Sequence, residues 1–227
     1  MMVPVLVPGD PFPPTNSALK DPDGLLAIGG DLSVNTLMRA YRSGIFPWFT
    51  RDQPILWWSP DPRLILFPKN FKISRSLKKT LRKNTYQVTT NQSFLSVIEK
   101  CGPKRHSDCE SWITEEMIVA YTKLFELGIA KSVETWLNGE LVGGLYGLSI
   151  GHVFFGESMF SIAPDASKVA LATYIDILLN ENVSMIDCQV YSAHLSSLGA
   201  ENVDRQTFER MLSELIPSTK TAECRSV

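Results

Sequence analysis

Apolar and polar positions along the chain follow two periods, and the change of period marks the elements. The strongest strand signal lies between residues 130 and 161. Ala130–Leu137 and Glu140–Ile150 flank Asn138-Gly139, the dipeptide of a type I′ hairpin turn. Gly151 turns the chain again into residues 152–161, so three sequential antiparallel strands form a meander. Shorter strands are predicted at 64–67, 86–90 and 184–190. Helical spacing governs most of the rest. Ser33 caps a helix through Arg42 that carries Leu37, Met38 and Tyr41 on one face, with Gly44 at the C′ position. A helix from Ile73 follows from Ile73, Leu77 and Leu81 at i, i+4 and i+8; Lys72, Arg75, Lys79 and Arg82 form a basic stripe beside them. Ser93 caps a short helix through Lys100, and residues 101–111 are polar and loop-like. Thr114 caps the next helix, with Glu115 and Glu116 in its first turn and Gly128 as terminator. Asp165 caps a helix to about residue 180, with Leu171, Tyr174, Ile175 and Leu178 inward. Residues 196–200 read as a turn, Phe208, Met211, Leu212, Leu215 and Ile216 mark a last helix, and the tail from Pro217 has little to bury.

One strand carries an awkward charge. Within residues 152–161, Gly156-Glu157-Ser158 is bracketed by Phe154, Phe155, Met159 and Phe160. A carboxylate amid so much apolar surface is costly unless it is paired or open to a cleft. The stretch is either an edge strand whose polar face meets water or a pocket wall with Glu157 at its polar end. A second polar pair, Asp187 and Gln189, stands two apart in a strand and so shares a face, while Cys188 points the other way as a small buried residue. Side by side, a carboxylate attracts the positive form of an amine and an amide accepts a hydrogen bond from its neutral form. A hydrogen-bonded strand edge would read the same way from spacing alone.

Composition narrows the class of protein. The chain has 227 residues, 44% of them hydrophobic, ordinary for a soluble enzyme-sized protein. No apolar run approaches the roughly 20 residues that span a bilayer. The opening Met-Met-Val-Pro-Val-Leu-Val-Pro lacks a basic region and is broken by prolines, so it makes a poor signal peptide. Four cysteines and three histidines make no metal-ligand spacing and no disulfide framework. A reduced, cytoplasmic protein with no metal and no membrane association is expected. Net charge is −2, but residues 69–83 hold seven basic side chains and no acid, leaving −9 on the remainder. Such a patch on an acidic chain suggests a defined polyanion contact, although a charged helix face can also be merely solvated. Residues 44–63 hold three tryptophans and four prolines. They could form a rigid stacking wall for a ring-containing ligand, or seal a small N-terminal domain against the main one.

Other chemistries fit poorly. A Ser-His-Asp set can be written from Asp187, His194 and Ser158 or Ser196, but no G-x-S-x-G elbow supports it. Gly143-Gly144 and Gly147 lie inside a strand, and no phosphate-cradling glycine loop opens a helix.

The motifs do match a family in order. Asp23-Gly-Leu-Leu-Ala-Ile-Gly-Gly-Asp-Leu-Ser33, Gly44-Ile-Phe-Pro-Trp-Phe49, Leu56-Trp-Trp-Ser-Pro-Asp-Pro-Arg63, Ser74-Arg-Ser76, Trp112-Ile-Thr114, Gly143-Gly-Leu-Tyr-Gly147, Gly156-Glu-Ser-Met-Phe-Ser161, Ala166-Ser-Lys-Val-Ala-Leu171, Asp187-Cys-Gln189 and Ser197-Leu-Gly-Ala200 follow one another. Together they closely resemble the bacterial leucyl/phenylalanyl-tRNA–protein transferases, from about residue 12 to residue 216. Residues 217–227 lack the aromatic, proline-rich tail of that family.

The resemblance implies an α+β fold: a small N-terminal α/β domain, residues 1–63, and a larger catalytic domain, residues 64–227, similar to the N-acetyltransferase fold with a mostly antiparallel sheet. It implies transfer of Leu or Phe, less readily Met, from aminoacyl-tRNA to the α-amine of proteins beginning with Arg or Lys, marking them for N-degron degradation. No cofactor is implied, since the aminoacyl ester is already activated. Gln189 would accept a hydrogen bond from the amine and Asp187 would orient it, with Asp187 and Glu157 supplying the negative field for the basic N-terminus. Trp48 and Trp112 would stack on the terminal adenine. The aminoacyl side chain would sit among Leu145, Phe154, Met159, Leu171, Tyr174 and Ile186, with Ser158 at the substrate site. Tyr41, Arg75, Lys79 and Arg82 would contact the tRNA. A monomer is expected. Two rivals are an acyl-coenzyme A N-acyltransferase, which the absent glycine loop disfavours, and a non-catalytic tRNA-binding module, which would need only the basic stripe.

Overall fold

The computed structural model describes residues 2–102 and 113–217. Two sheets organise them. The smaller has the order β1-β2-β4-β3, from β1 (Val5–Leu6), β2 (Leu25–Gly29), β3 (Phe46–Pro47) and β4 (Leu56–Trp58). Between β2 and β3 runs helix α1 (Val34–Arg42). Its Ser33 hydroxyl accepts the Thr36 N–H, and Gly44, at φ +73°, supplies the left-handed residue past its end.

The larger sheet has seven strands in the order β11-β5-β10-β9-β8-β7-β6. They are β5 (Arg63–Leu66), β6 (Gln87–Thr90), β7 (Ala130–Leu137), β8 (Glu140–Ile150), β9 (Val153–Ser161), β10 (Met185–Gln189) and β11 (Glu201–Val203). The meander of β7, β8 and β9 forms as its periodicity predicts, with Asn138 and Gly139 both at positive φ in the hairpin turn. Every pairing in this sheet is antiparallel except β9 with β10. This is the mostly antiparallel α+β arrangement expected.

Helices cover both faces. On one face α5 (Ala166–Asn180) packs Leu171, Tyr174, Ile175 and Leu178 against Leu64, Val133, Leu145, Phe154 and Ile186. Helix α2 (Arg75–Lys83) lies outside α5, with Leu77 buried against Val169 and Ala172. On the other face, α1, α3 (Phe94–Cys101), α4 (Glu115–Glu126) and α7 (Arg205–Leu215) share one apolar cluster with both sheets.

Several local expectations change. Helix α2 starts at Arg75 because the Ser74 hydroxyl takes the Leu77 N–H, which leaves Ile73 exposed outside the helix. Ser93 precedes α3, but its hydroxyl makes no cap; the buried Glu134 carboxylate accepts the Ser93 N–H instead. Asp165 sits at φ +61° and bonds Lys168 and Thr80 rather than its own helix end. Residues 193–197 form a short helix, α6 (Ala193–Ser197), which takes in the first two residues of the turn expected at 196–200. The loop residues 103–111 and the tail 218–227 lie outside the described residues.

Candidate active site

The parallel pair β9–β10 is in register only from Met185↔Val153 to Asp187↔Phe155. Beyond that point each strand bulges. In β9, Tyr146 faces Ser158 and Gly147 faces Gly156, so Glu157 is the extra residue. In β10, Asp187 faces Ile65 and Gln189 faces Leu64, so Cys188 is the extra residue. A bulge inserts one residue, bends the strand and re-aims a side chain. Gly147 permits the bend: a Cβ there would lie 2.1 Å from the Phe155 carbonyl oxygen and 2.6 Å from the Phe154 ring.

The re-aimed Glu157 is caged. Tyr41 from α1 donates its hydroxyl to Oε1 at 2.8 Å, and Tyr121 from α4 donates to Oε2 at 3.0 Å. The Gln189 side chain reaches across from β10 and donates Nε2–H to Oε1 at 3.0 Å. The two tyrosine hydroxyls also bond each other. Burial pushes the Glu157 carboxyl up to about 7, against the pull of both tyrosine hydroxyls, which favour its charged form. Burial, and then the Glu157 charge, raise Tyr41, Tyr121 and Tyr146 well above the usual tyrosine range, so all three stay protonated. The Tyr146 ring meets Tyr121 edge-on, and its buried hydroxyl has no hydrogen-bond partner among the described residues. Ser158 lies against the Cys101 thiol, which burial pushes up to about 12.

Asp187 and Gln189 do meet, but not by alternation along a regular strand. The Gln189 N–H donates to Asp187 Oδ1 at 2.9 Å, and Gln189 itself sits at φ +65°. Asp187 is 0% exposed, and both its oxygens take a bidentate bond from Arg63 at 2.8 and 2.7 Å. This corrects the expectation that Asp187 lies beside an amine: its charge is matched inside the protein and it offers no open surface. The same pairing removes Asp187 from any Ser-His-Asp set with His194. Cys188, expected to be a small buried residue, is partly buried and packs against the cluster that holds Tyr174 and Ile186.

The apolar side chains named from sequence converge. Leu145, Phe154, Leu171, Tyr174 and Ile186 are all buried in one cluster, and half-buried Met159 packs on its rim. Phe154 and Tyr174 meet edge-on at 5.0 Å. The tryptophans differ in exposure. Trp57 is fully buried, its Nε1–H on the Gly29 carbonyl, whereas Trp48 is 44% exposed beside Trp58 at 5.7 Å. Trp112 lies outside the described residues.

Tyr41 is a second correction. It is 0% exposed and faces Glu157, so its side chain has no surface to offer a tRNA. Arg75, Lys79 and Arg82 are exposed along α2, and among the described residues none of the seven cations between 69 and 83 has an ion-pair partner. Two residues that shape the site, Arg63 and Tyr121, went unremarked in the sequence.

The chain is similar to known proteins over most of its length. The family model for leucyl/phenylalanyl-tRNA protein transferase matches residues 65–213, and the model for that family's N-terminal domain matches residues 30–61. A leucyl/phenylalanyl-tRNA–protein transferase of Nitrosomonas europaea is 54% identical, covering 94% of this chain and 91% of its own length. One from Nitrosospira multiformis is 52% identical, covering 95% and 93%. Solved structures with a partial likeness include L-PGS from Bacillus licheniformis, 12% identical with a TM-score of 0.41 over 74% of this chain and 53% of that one. A GCN5-related N-acetyltransferase-like protein from Streptococcus suis is 13% identical with a TM-score of 0.38, over 75% and 64%. The chain belongs to the leucyl/phenylalanyl-tRNA–protein transferase family and is a transferase enzyme.

Proposed function

We propose that this enzyme moves Leu or Phe, and less readily Met, from aminoacyl-tRNA onto the α-amine of proteins that begin with Arg or Lys. The observation that carries this reading is the Gln189–Glu157 bridge where the β9–β10 pairing ends, with a buried apolar cluster on the neighbouring face of the same strands. The ester carbonyl carbon would be held beside this bridge, with the donor side chain toward Phe154, Met159 and Tyr174. The amine nitrogen attacks that carbon, the new C–N bond forms, and the ester C–O bond to the ribose breaks. The proton lost by the amine passes to the departing ribose oxygen of the tRNA. An α-amine titrates near about 8, so positioning contributes more than a strong base would.

In this reading Gln189 and Glu157 are the catalytic residues, the Gln189 amide oxygen accepting from the amine. Glu157 attracts the basic N-terminal side chain. Asp187 acts from behind Gln189. Trp48 offers a stacking surface worth about 1–3 kcal/mol per base for the terminal adenosine, and the family resemblance gives Trp112 the same role. Arg75, Lys79 and Arg82 neutralise acceptor-stem phosphates without reading sequence. Ser158 lines the site next to Cys101. The catalytic part, 64–227, carries the chemistry and the part before it, 1–63, supplies Trp48 and Tyr41. The protein works as a cytoplasmic monomer, and its products enter N-degron degradation.

Incubation with labelled Leu-tRNA and peptides differing only in the first residue tests this. Label is expected on Arg- and Lys-initiated peptides and not on Asp- or Gly-initiated ones. Equal labelling of all four would refute the acceptor assignment, and tRNA binding with no transfer would leave only a binding module.

A further inference from the structure

Arg63 opens β5, yet it is 1% exposed and gripped from three sides. Its Nε and Nη2 donate to the two oxygens of Asp187, and its Nη1 donates to the Gly44 carbonyl at 3.1 Å. The rings of Phe46 from β3 and Phe208 from α7 each lie 4.7 Å from its guanidinium carbon. Nothing in the transfer chemistry requires Arg63 to meet a substrate, and it is too deeply enclosed to do so. We propose that Arg63 is a positioning residue for the transfer reaction, acting through Asp187 on Gln189. This rests on the transfer reading given above.

The geometry runs as a chain. Gln189 adopts a left-handed backbone conformation, which is unfavourable for a residue with a side chain and persists only where the surroundings impose it. What imposes it is Asp187 Oδ1, which accepts the Gln189 N–H at 2.9 Å. That oxygen is itself fixed because the Arg63 fork holds both carboxylate oxygens in one plane. The left-handed turn then sends the Gln189 amide sideways out of β10 to Glu157. With the fork gone, the carboxylate is free to rotate and Gln189 to relax toward an extended strand, which withdraws its amide from Glu157. A lysine cannot replace the fork: a single ammonium cannot bond both oxygens and the Gly44 carbonyl together. A buried ion pair is weak evidence for stability as such, so a role in fixing one geometry suits the pair better.

The test uses the full-length protein with Arg63→Lys. Amide exchange is followed at Gln189 in the labelled protein, and steady-state transfer from Leu-tRNA to an Arg-initiated peptide is measured in parallel. Exchange at Gln189 is expected to accelerate about tenfold or more, and kcat to fall about tenfold or more, with KM for Leu-tRNA within about twofold. Unchanged exchange overturns the proposal, whatever happens to kcat. Faster exchange at wild-type kcat overturns it too. If R63K does not fold, Phe208→Leu loosens one ring contact and keeps both charges; there exchange and kcat should shift together by about threefold, and wild-type values of either refute the inference. Absence of transfer by the wild-type protein would sink the transfer reading, while the exchange comparison would still report on the brace.

Discussion

Glu157 is held as a weak base in a cage built to keep it there. Its carboxyl titrates near 7 when folded because burial disfavours the charge, whereas an unfolded Glu titrates near about 4.3. The sign follows from linkage: between these values the folded state binds more protons, so this residue's contribution to stability is full below about pH 4 and is lost as pH rises through 7. Glu157→Gln should therefore gain stability relative to wild type by about 2–3 kcal/mol between pH 5 and 8. Denaturant unfolding of both proteins at several pH values measures this, and a constant difference would mean the carboxyl is not displaced. In the same variant, kcat/KM for an Arg-initiated peptide should lose its rise near pH 7 and keep only the rise from the peptide's own amine near about 8. The sequence marks Glu157 and Asp187 as charges in apolar strands, and that signal is sound. It does not show the two bulges, because a bulge is one residue of mismatch with a partner strand and leaves no local pattern. Arg63 was foreseeable only indirectly: Asp187, flanked by Met185, Ile186 and Cys188, demands a cation from somewhere else in the chain. Tyr121 occupies an ordinary buried helical position, and nothing local distinguishes its hydroxyl.

At the scale of elements, helix α2 is the case where charge pattern outruns stability. Arg75 stands at its first position, where the helix dipole disfavours a cation, and no acid relieves it within the helix. Arg82 and Lys83 sit in the last turn, where the dipole favours them. In the proposed reading this stripe meets the phosphates of the tRNA. Arg75→Ala with Lys79→Ala should leave stability within about 0.5 kcal/mol of wild type. The same change should lower the slope of log binding constant against log salt for tRNA by about 0.7–0.9 for each phosphate no longer neutralised. An unchanged slope in a salt titration would show that the stripe is only solvated. Elements whose signal is local were legible. The caps Ser33 and Thr114, the turn Asn138-Gly139 and the spacing of Leu171, Tyr174 and Leu178 all act within a few residues of themselves. The short strands β1, β3, β4 and β11 were not, because strands of two or three residues exist only through pairing with distant partners.

At the scale of the molecule, the division we propose between residues 63 and 64 falls inside β5, after the first residue of the larger sheet, and does not separate two cores. Leu26, Leu37, Tyr41, Ile45 and Trp57 belong to the same buried cluster as Tyr121, Phe155, Met185 and Phe208. The polar contacts cross the same line: Tyr41 bonds Glu157, and Arg63 bonds Asp187. A fragment of residues 64–227 would keep Arg63's partner Asp187 but lose Arg63 itself, leaving an uncompensated buried charge that costs about 3–5 kcal/mol. It would also expose the apolar face that α1 and β4 cover, and that loss alone is comparable with the roughly 5–15 kcal/mol stability of a whole domain. The fragment is therefore expected to be compact but loosely packed, with near-native far-UV and collapsed near-UV circular dichroism and strong dye binding. A fragment beginning one residue earlier, at Arg63, should recover part of the stability but not transfer activity, because Tyr41 and Trp48 are still missing. Cooperative unfolding of the 64–227 fragment with intact near-UV signal would show that the small sheet is an appendage. Loss of cooperativity would show that the Glu157 cage and the Arg63 brace are properties of the undivided molecule, and that neither part can be assigned the chemistry alone.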